Sequence, residues 1–376
     1  MKMPRQYVEP RLLKGFQDRL PPKSYIRKEI TEKIISIYEK YGFSFIETPA
    51  MELKEILLGP GGENINKEIF FLETPENEQA CLRFDHTVPF ARIIAQYPET
   101  IKIPFRRYTI GPVWRADKPG IGRYREFVQM DIDIAGTPNI AADAEIIAIM
   151  VEIMRILGFK HFHAQINNRK LIDALLIVNG INDIDVQKHV LRVIDKLQKV
   201  GIDNIQKELG EGRIDESGDP IKGVGLSKDI IEKIVSFISI AGQTRKDVLQ
   251  SIKQLQGEHI EFQQAISTME ELDEYLTALD ISDTEAIFSP SLTRGLDYYS
   301  GPVFEVTLKD APQIGSVMGG GRYDGLVSRF TDKIIPCTGM SIGMDRLISA
   351  MEELSLIQTS KPLYDVQIAR VGKVPI

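Results

Sequence analysis

Six arginines lie beside glycines or turns: Arg115, Arg123, Arg125, Arg294, Arg322 and Arg346. A guanidinium fork matches phosphate oxygens and keeps its charge at any working pH. One such arginine is ordinarily a surface ion pair; several at turns in one chain point to a polyphosphate site. In FVQMDIDIAG, Gln129, Asp131 and Asp133 fall at alternate positions of an apolar strand and share one face. That face is either half exposed or the floor of a pocket for a small polar molecule. Asp133 is placed there to accept a hydrogen bond from an imidazole or to balance its charge. In LRFDHTVPFAR, Asp85 and Thr87 are two residues apart. In an extended segment they point the same way, a pair suited to an ammonium group; a polar turn before Pro89 is the plainer alternative. RGLDYYSGPVFEV sets Arg294 ahead of Tyr298 and Tyr299, which are either packed in a core or frame a ligand. GGGRYDGLV lets the backbone approach something closely at Gly319, Gly320 and Gly321.

Other chemistries lack their residues. Five histidines are present, with no H-E-x-x-H, G-x-S-x-G or S-x-x-K pattern. His161 and His163 share a strand face without a third ligand nearby, so no protein-held metal is expected. GPGGENI at 59–65 lacks the Gly-Lys-Ser/Thr ending of a phosphate-binding P-loop. Two cysteines, Cys81 and Cys337, make neither a disulfide framework nor a four-cysteine zinc site.

The elements that must position these groups are legible as hydrophobic periods. Ile26, Ile30, Ile34 and Tyr38 predict a helix from Ser24, its N-cap, to Tyr41, stopped by Gly42. FSFIETPAM reads as a strand ending near Pro49. Residues 104–115 and 122–135 read as an antiparallel strand pair joined by ADKPGI. A helix follows from Ala141 to Leu157, then a strand at 161–167. Residues 170–285 change to helical spacing, broken by GEGRIDESGDPIKG. Strands return in GPVFEVTL, GSVMGGGRYDGLV and CTGMSIGMDRL, the last running into a helix near 345–355. The pattern is an α+β domain interrupted by a helical insertion.

Length and charge are compatible with this reading. The 376 residues suffice for two or three domains, and 43% apolar with 26% charged residues is ordinary for a globular chain. No apolar run approaches a membrane span and the N-terminus has no signal core, so a cytoplasmic protein is expected. The net charge of −7 excludes a uniformly basic coat, yet residues 1–28 carry eight Lys/Arg against two acids, and residues 101–125 seven against one. Such stretches suit a polyanion.

Taken together these segments resemble histidyl-tRNA synthetase, a class II aminoacyl-tRNA synthetase family, over nearly the whole chain. FIETPAMEL resembles motif 1 of class II enzymes, GPVWRADKPGIGRYREFVQMDIDIAG motif 2 and GMSIGMDRL motif 3; LTRGLDYYSGPVFEV and GGGRYDGLV resemble the two histidine-specific signatures. The resemblance implies an antiparallel β-sheet flanked by helices, dimerising through motif 1. It implies that Arg115 holds the ATP α-phosphate and the histidine carboxylate, that Arg123 and Arg346 grip the outer phosphates, and that Phe127 stacks on adenine. Asp85, Thr87 and Gln129 would hold the amino-acid end, Asp133 and Tyr299 the imidazole, with Tyr298 and Tyr323 completing the pocket. Arg294 would stabilise charge developing at the α-phosphorus. The implied partners are ATP with Mg²⁺, L-histidine, tRNA(His) and a second copy of the chain.

The resemblance divides the chain into a first catalytic part (1–169), the helical insertion (170–285), a second catalytic part (286–360) and, at 361–376, a single strand of an expected anticodon-binding domain. The basic stretches at the N-terminus and 101–125 are candidates for acceptor-stem phosphates. A histidine-sensing regulatory subunit of ATP phosphoribosyltransferase, built on the same catalytic fold, is the competing expectation. A sensor has no need of a full arginine clamp.

Overall fold

The computed structural model describes residues 7–59, 68–120, 122–215, 217–256, 259–293 and 298–357. Its strands are β1 (Ser44–Phe45), β2 (Met51–Leu53), β3 (Phe71–Glu73), β4 (Gln79–Leu82), β5 (Phe105–Trp114), β6 (Glu126–Ala135), β7 (Phe162–Asn168), β8 (Gly212–Ile214), β9 (Pro220–Lys222), β10 (Ala286–Phe288), β11 (Pro302–Leu308), β12 (Met318–Arg322) and β13 (Cys337–Gly343). Eight of them form one sheet in the order β1-β5-β6-β13-β12-β11-β7-β10. The six central strands are antiparallel to their neighbours, and the two edge pairings, β1 with β5 and β7 with β10, are parallel. The sheet is therefore mixed at its edges and antiparallel where the site lies.

Period-two alternation decides what each face of this sheet does. On β6, Met130, Ile132 and Ile134 are buried against helices on one side, while Gln129, Asp131 and Asp133 face the other. Helix Ala141–Ile156 lies across the apolar face and is buried nearly all round, Ile146, Ile149, Met150 and Ile153 included. A helix buried this far round is stable only as the middle of a sandwich, and here helix Lys23–Lys40 closes the far side with Ile30, Ile34, Ile37 and Tyr38. The apolar layer makes a rigid backing for a polar face.

Between β7 and β10 run the insertion helices, of which Arg169–Val178 and Ile260–Ala278 pack on the same core. Arg245, 3% exposed, anchors the insertion. It donates to Asp273 at 2.6 Å and to the carbonyls of Ile281 and Ala286, the latter on β10.

Four local expectations are corrected. Helix Lys23–Lys40 starts a residue before Ser24, with Pro22 at the N-cap and no side-chain cap. FSFIETPAM is not one strand: β1 ends at Phe45 and β2 starts at Met51, because the segment leaves the main sheet and joins the small β2-β4-β3 sheet. GEGRIDESGDPIKG is more than a break, since it forms the β8–β9 hairpin with Asp215 Oδ1 accepting from Ser217 and Asp219 backbone N–H groups across the turn. Asp85 and Thr87 do not lie in an extended segment. Thr87 opens helix Thr87–Gln96, and Asp85 Oδ1 accepts from Val88 N at 3.1 Å, as a capping aspartate does. GPGGENI beyond Gly59 and the expected strand at 361–376 lie outside the described residues.

Candidate active site

The polar face of the sheet opens into a cavity of about 300 Å³. β6 supplies Phe127, Gln129, Asp131 and Asp133; β13 and the helix after it supply Ser341, Asp345 and Arg346. The β5–β6 connection supplies Arg115, Asp117 and Arg123, and the segment entering helix Thr87–Gln96 supplies Asp85 and Thr87. Tyr298, Tyr299 and Tyr323 close one end. Every site residue implied by the family resemblance lines this one cavity, except Arg294, which lies outside the described residues.

The deep end is acidic and aromatic. Asp133, 3% exposed, accepts from the Tyr323 hydroxyl through Oδ1 and pairs through Oδ2 with Arg107 Nη2 at 2.5 Å. Burial raises the pKa of Asp133, and the Arg107 charge and the Tyr323 hydroxyl oppose the rise. Asp131 is pushed up to about 7, first by burial and then by Asp133 and Asp85, against the pull of Arg107 and Ser341. Burial also raises Asp85, opposed by the Val88 N–H and Arg115. Tyr298 packs edge-on to both Tyr299 and Tyr323, at 5.0 and 5.8 Å between ring centres. Burial of these phenols drives the Tyr298 and Tyr323 pKa values well up, so they stay protonated hydrogen-bond donors.

Glycine makes this crowding possible. Gly339 faces Asp133 across the β6–β13 ladder, and a Cβ there would stand 2.1 Å from Asp133 Oδ1. At Gly321 a Cβ would meet the Tyr299 ring at 2.9 Å. The glycine triplet thus brings backbone against a pocket tyrosine, the close approach its sequence implies.

The mouth is cationic. Arg115 Nε donates to the Phe84 carbonyl at 3.0 Å, and its guanidinium lies 5.4 Å from the centre of the Phe127 ring. Arg346 donates to the Ser316 carbonyl at 2.8 Å, which aims it along the cavity wall. Arg123 is exposed at the rim. This arrangement puts fixed positive charge at one end of a slot and carboxylates at the other. Among the described residues no cluster of three or more His, Cys, Asp and Glu side chains could hold a metal ion.

Two arginines marked from sequence are spent elsewhere. Arg322 is 6% exposed and bound to Asp143 through Nε at 3.0 Å and through Nη2, and to the Thr137 and Asn139 carbonyls. Arg125 donates to the Asp117 carbonyl and packs against Gly15. Much of the basic surface is likewise consumed. Arg19 and Arg27 both pair with Asp345, Arg106 with Glu145, and Arg107 is buried under Asp133, leaving Lys118 and Arg123 exposed at the rim side. Arg107 was not singled out from sequence, although the register that pairs it with Asp133 follows from aligning the two strands across their turn.

The comparisons agree with this geometry. A family model described as "Histidyl-tRNA synthetase" matches residues 15–347. The chain belongs to the histidyl-tRNA synthetase family. The histidine–tRNA ligase of Caulobacter vibrioides is 40% identical over 357 residues, 91% of this chain and 72% of that protein. That of Bartonella quintana is 37% identical over 390 residues, covering 100% of this chain and 78% of the relative. The crystal structure of histidyl-tRNA synthetase from Nostoc sp. PCC 7120 superposes with a TM-score of 0.80 at 31% identity, over 94% of this chain and 77% of that one. The α+β architecture with a helix-backed sheet is thus the class II synthetase fold, as the signatures implied.

Proposed function

We propose that the chain activates L-histidine with ATP to histidyl-adenylate and transfers the histidyl group to the 3′ end of tRNA(His). The observation that carries this reading is the single cavity joining the arginine mouth to the Asp133–Tyr323 floor. Asp85, Thr87 and Gln129 take the amino-acid end, and Asp133 with Tyr299 takes the ring. Arg115 sits between them and the mouth, where one guanidinium reaches both the histidine carboxylate and the α-phosphate. Arg123 and Arg346 grip the outer phosphates, with Phe127 under adenine.

The chemistry asks for charge rather than a protein nucleophile. A histidine carboxylate oxygen attacks the α-phosphorus, a C–O–P link forms, and the bond to the β-phosphate breaks to release pyrophosphate. Two anions must be brought together, so preorganised cations lower the barrier. Arg115 and, from its signature, Arg294 serve that role. Mg²⁺ enters with ATP as part of the substrate, held mainly by phosphate oxygens. In the second step a terminal hydroxyl of the tRNA attacks the histidyl carbonyl and AMP leaves.

The edge beside β1 and β2 supports a homodimer. Phe45, Met51 and Leu53 are 40–55% exposed there, apolar side chains that a second copy would cover. Exposed Lys118, with Arg11 and Lys14 of the N-terminal stretch, is available for acceptor-stem phosphates. No helix among the described residues is long and apolar enough to cross a membrane; we place the protein in the cytoplasm with its tRNA.

Charging of tRNA(His) transcript with labelled histidine tests the reading. Histidyl-tRNA formation is expected; binding of histidine without adenylate or charging would favour a histidine-sensing subunit instead.

A further inference from the structure

We propose that Asp131 is a second carboxylate reader of the histidine ring, sharing one proton with it, and that Arg107 is the positioning residue that holds the Asp131–Asp133 pair. This inference rests on the histidine reading above and assigns a residue which that reading leaves idle.

Position comes first. On β6, Asp131 stands between Gln129, assigned to the amino-acid end, and Asp133, assigned to the ring, all on the cavity face. Alternate residues of a strand are about 6.6 Å apart, within the length of one histidine molecule. Asp131 is 2% exposed. Among the described residues its Oδ1 has no hydrogen-bond partner, and neither does Oγ of Ser341, its register neighbour on β13. A buried carboxylate oxygen without a donor is costly. Both residues line the cavity, and the Ser341 hydroxyl offers Asp131 only partial compensation, so a ring N–H entering the cavity supplies the carboxylate with a stronger donor.

Charge comes second. The floor holds Asp85, Asp131 and Asp133, and two buried cations lie near it, Arg107 and Arg83, of which Arg83 is committed to the Pro112 and Thr48 carbonyls. Arg107 cannot serve both neighbours equally. It lies opposite Asp133 on β5, pairs with it at 2.5 Å, donates to the His86 carbonyl at 3.1 Å and stacks 4.7 Å from the Phe90 ring centre. That fixes the guanidinium under Asp133 and leaves Asp131 without an ion pair of its own among the described residues. An amino acid with a neutral side chain brings one positive group, its ammonium. Histidine carrying a ring proton brings two, and the second matches Asp131.

The groups acting on Asp131 are Arg107 from β5, Ser341 from β13, Asp133 from its own strand, Asp85 and Arg83 from the segment before helix Thr87–Gln96 and, from behind the sheet, Tyr38 of helix Lys23–Lys40. With its pKa raised to about 7, Asp131 is partly protonated in the free pocket near neutrality. In the complex the ring and Asp131 hold one proton between them, whichever carries it. The free ring titrates near about 6.5. Binding at pH 7.5 therefore takes up part of a proton, and binding at pH 5.5 releases most of one.

Calorimetry of L-histidine binding to the full chain, in buffers of different ionisation enthalpy at these two pH values, reads this directly. Reversal of sign between the two pH values is expected. In Asp131→Asn the uptake at pH 7.5 should vanish and affinity fall roughly tenfold or more, because a charge-assisted bond is replaced by a neutral one. Triazolylalanine, an analogue whose ring stays unprotonated, should bind the wild type about tenfold more weakly than histidine, and the variant should lose that preference. Histidine binding without proton uptake at pH 7.5, or uptake retained in Asp131→Asn, overturns the assignment while leaving the histidine reading intact. A chain that binds no histidine overturns both. Should the variant not fold, the wild-type proton count and the triazole comparison decide alone.

Discussion

Replacing Gly339 by alanine tests how the ring reader is held. The new Cβ would stand 2.1 Å from Asp133 Oδ1 and 2.5 Å from the Ile132 carbonyl oxygen. Ordinary contact begins near 3.4 Å, so the carboxylate must retreat by about 1.3 Å. It has nowhere to go without loss. Oδ1 is bound to the Tyr323 hydroxyl and Oδ2 is paired with Arg107 at 2.5 Å, so a shift of that size breaks one of the two. A hydrogen bond to a buried charged group contributes about 1.5–3 kcal/mol, and each ~1.4 kcal/mol is tenfold in affinity. The KM for histidine in ATP–pyrophosphate exchange should therefore rise roughly 10- to 100-fold, with the KM for ATP changed about twofold or less. Overpacking against backbone should also lower stability by about 1–3 kcal/mol in chemical denaturation. A folded variant with an unchanged histidine KM would refute the claim that the fixed Asp133 carboxylate reads the substrate.

Three other outcomes follow from the same contacts. Asp143→Ala removes the buried partner of Arg322 and leaves it only Asp324, at 3.4 Å, so stability should drop by about 3 kcal/mol in urea titration; a drop under about 1 kcal/mol would show the pair to be solvated. His86 is held neutral, its pKa pushed down to about 3 by burial and by Arg83 and Arg107. The unfolded chain binds that proton near about pH 6.5, so the folded state loses stability as pH falls below this value; His86→Gln should gain about 2 kcal/mol relative to wild type between pH 7.5 and pH 5, and equal pH dependence of the two proteins would contradict the assignment. Arg294→Ala should abolish adenylate formation while histidine binding persists in calorimetry, and normal turnover would remove Arg294 from the mechanism.

What could be read from sequence was what depends on local pattern. The alternation of FVQMDIDIAG fixed which side chains of β6 share the cavity face, and the arginines at the ends of β5 and β13 were placed at its mouth by their position next to turns. What could not be read depends on partners far along the chain. Arg322 looked like a phosphate ligand until Asp143, 179 residues away, claimed it. Arg19 and Arg27 looked like a free basic arm, but Asp345 gathers both of them and the Val128 N–H. The capping role of Asp85 was missed because a helix starts at the residue pair that spacing suggested was extended. Arg107 lay hidden for the opposite reason: it resembles surface charge in composition, and only the β5–β6 register shows it buried beneath the ring reader.

Histidine-dependent ATP–pyrophosphate exchange on this chain, without tRNA, tests the central claim most directly. Label should pass from pyrophosphate into ATP only when L-histidine is added, since adenylate formation needs only the cavity and its arginines. Histidine binding with no exchange would contradict the account and leave the cavity a sensor rather than an active site.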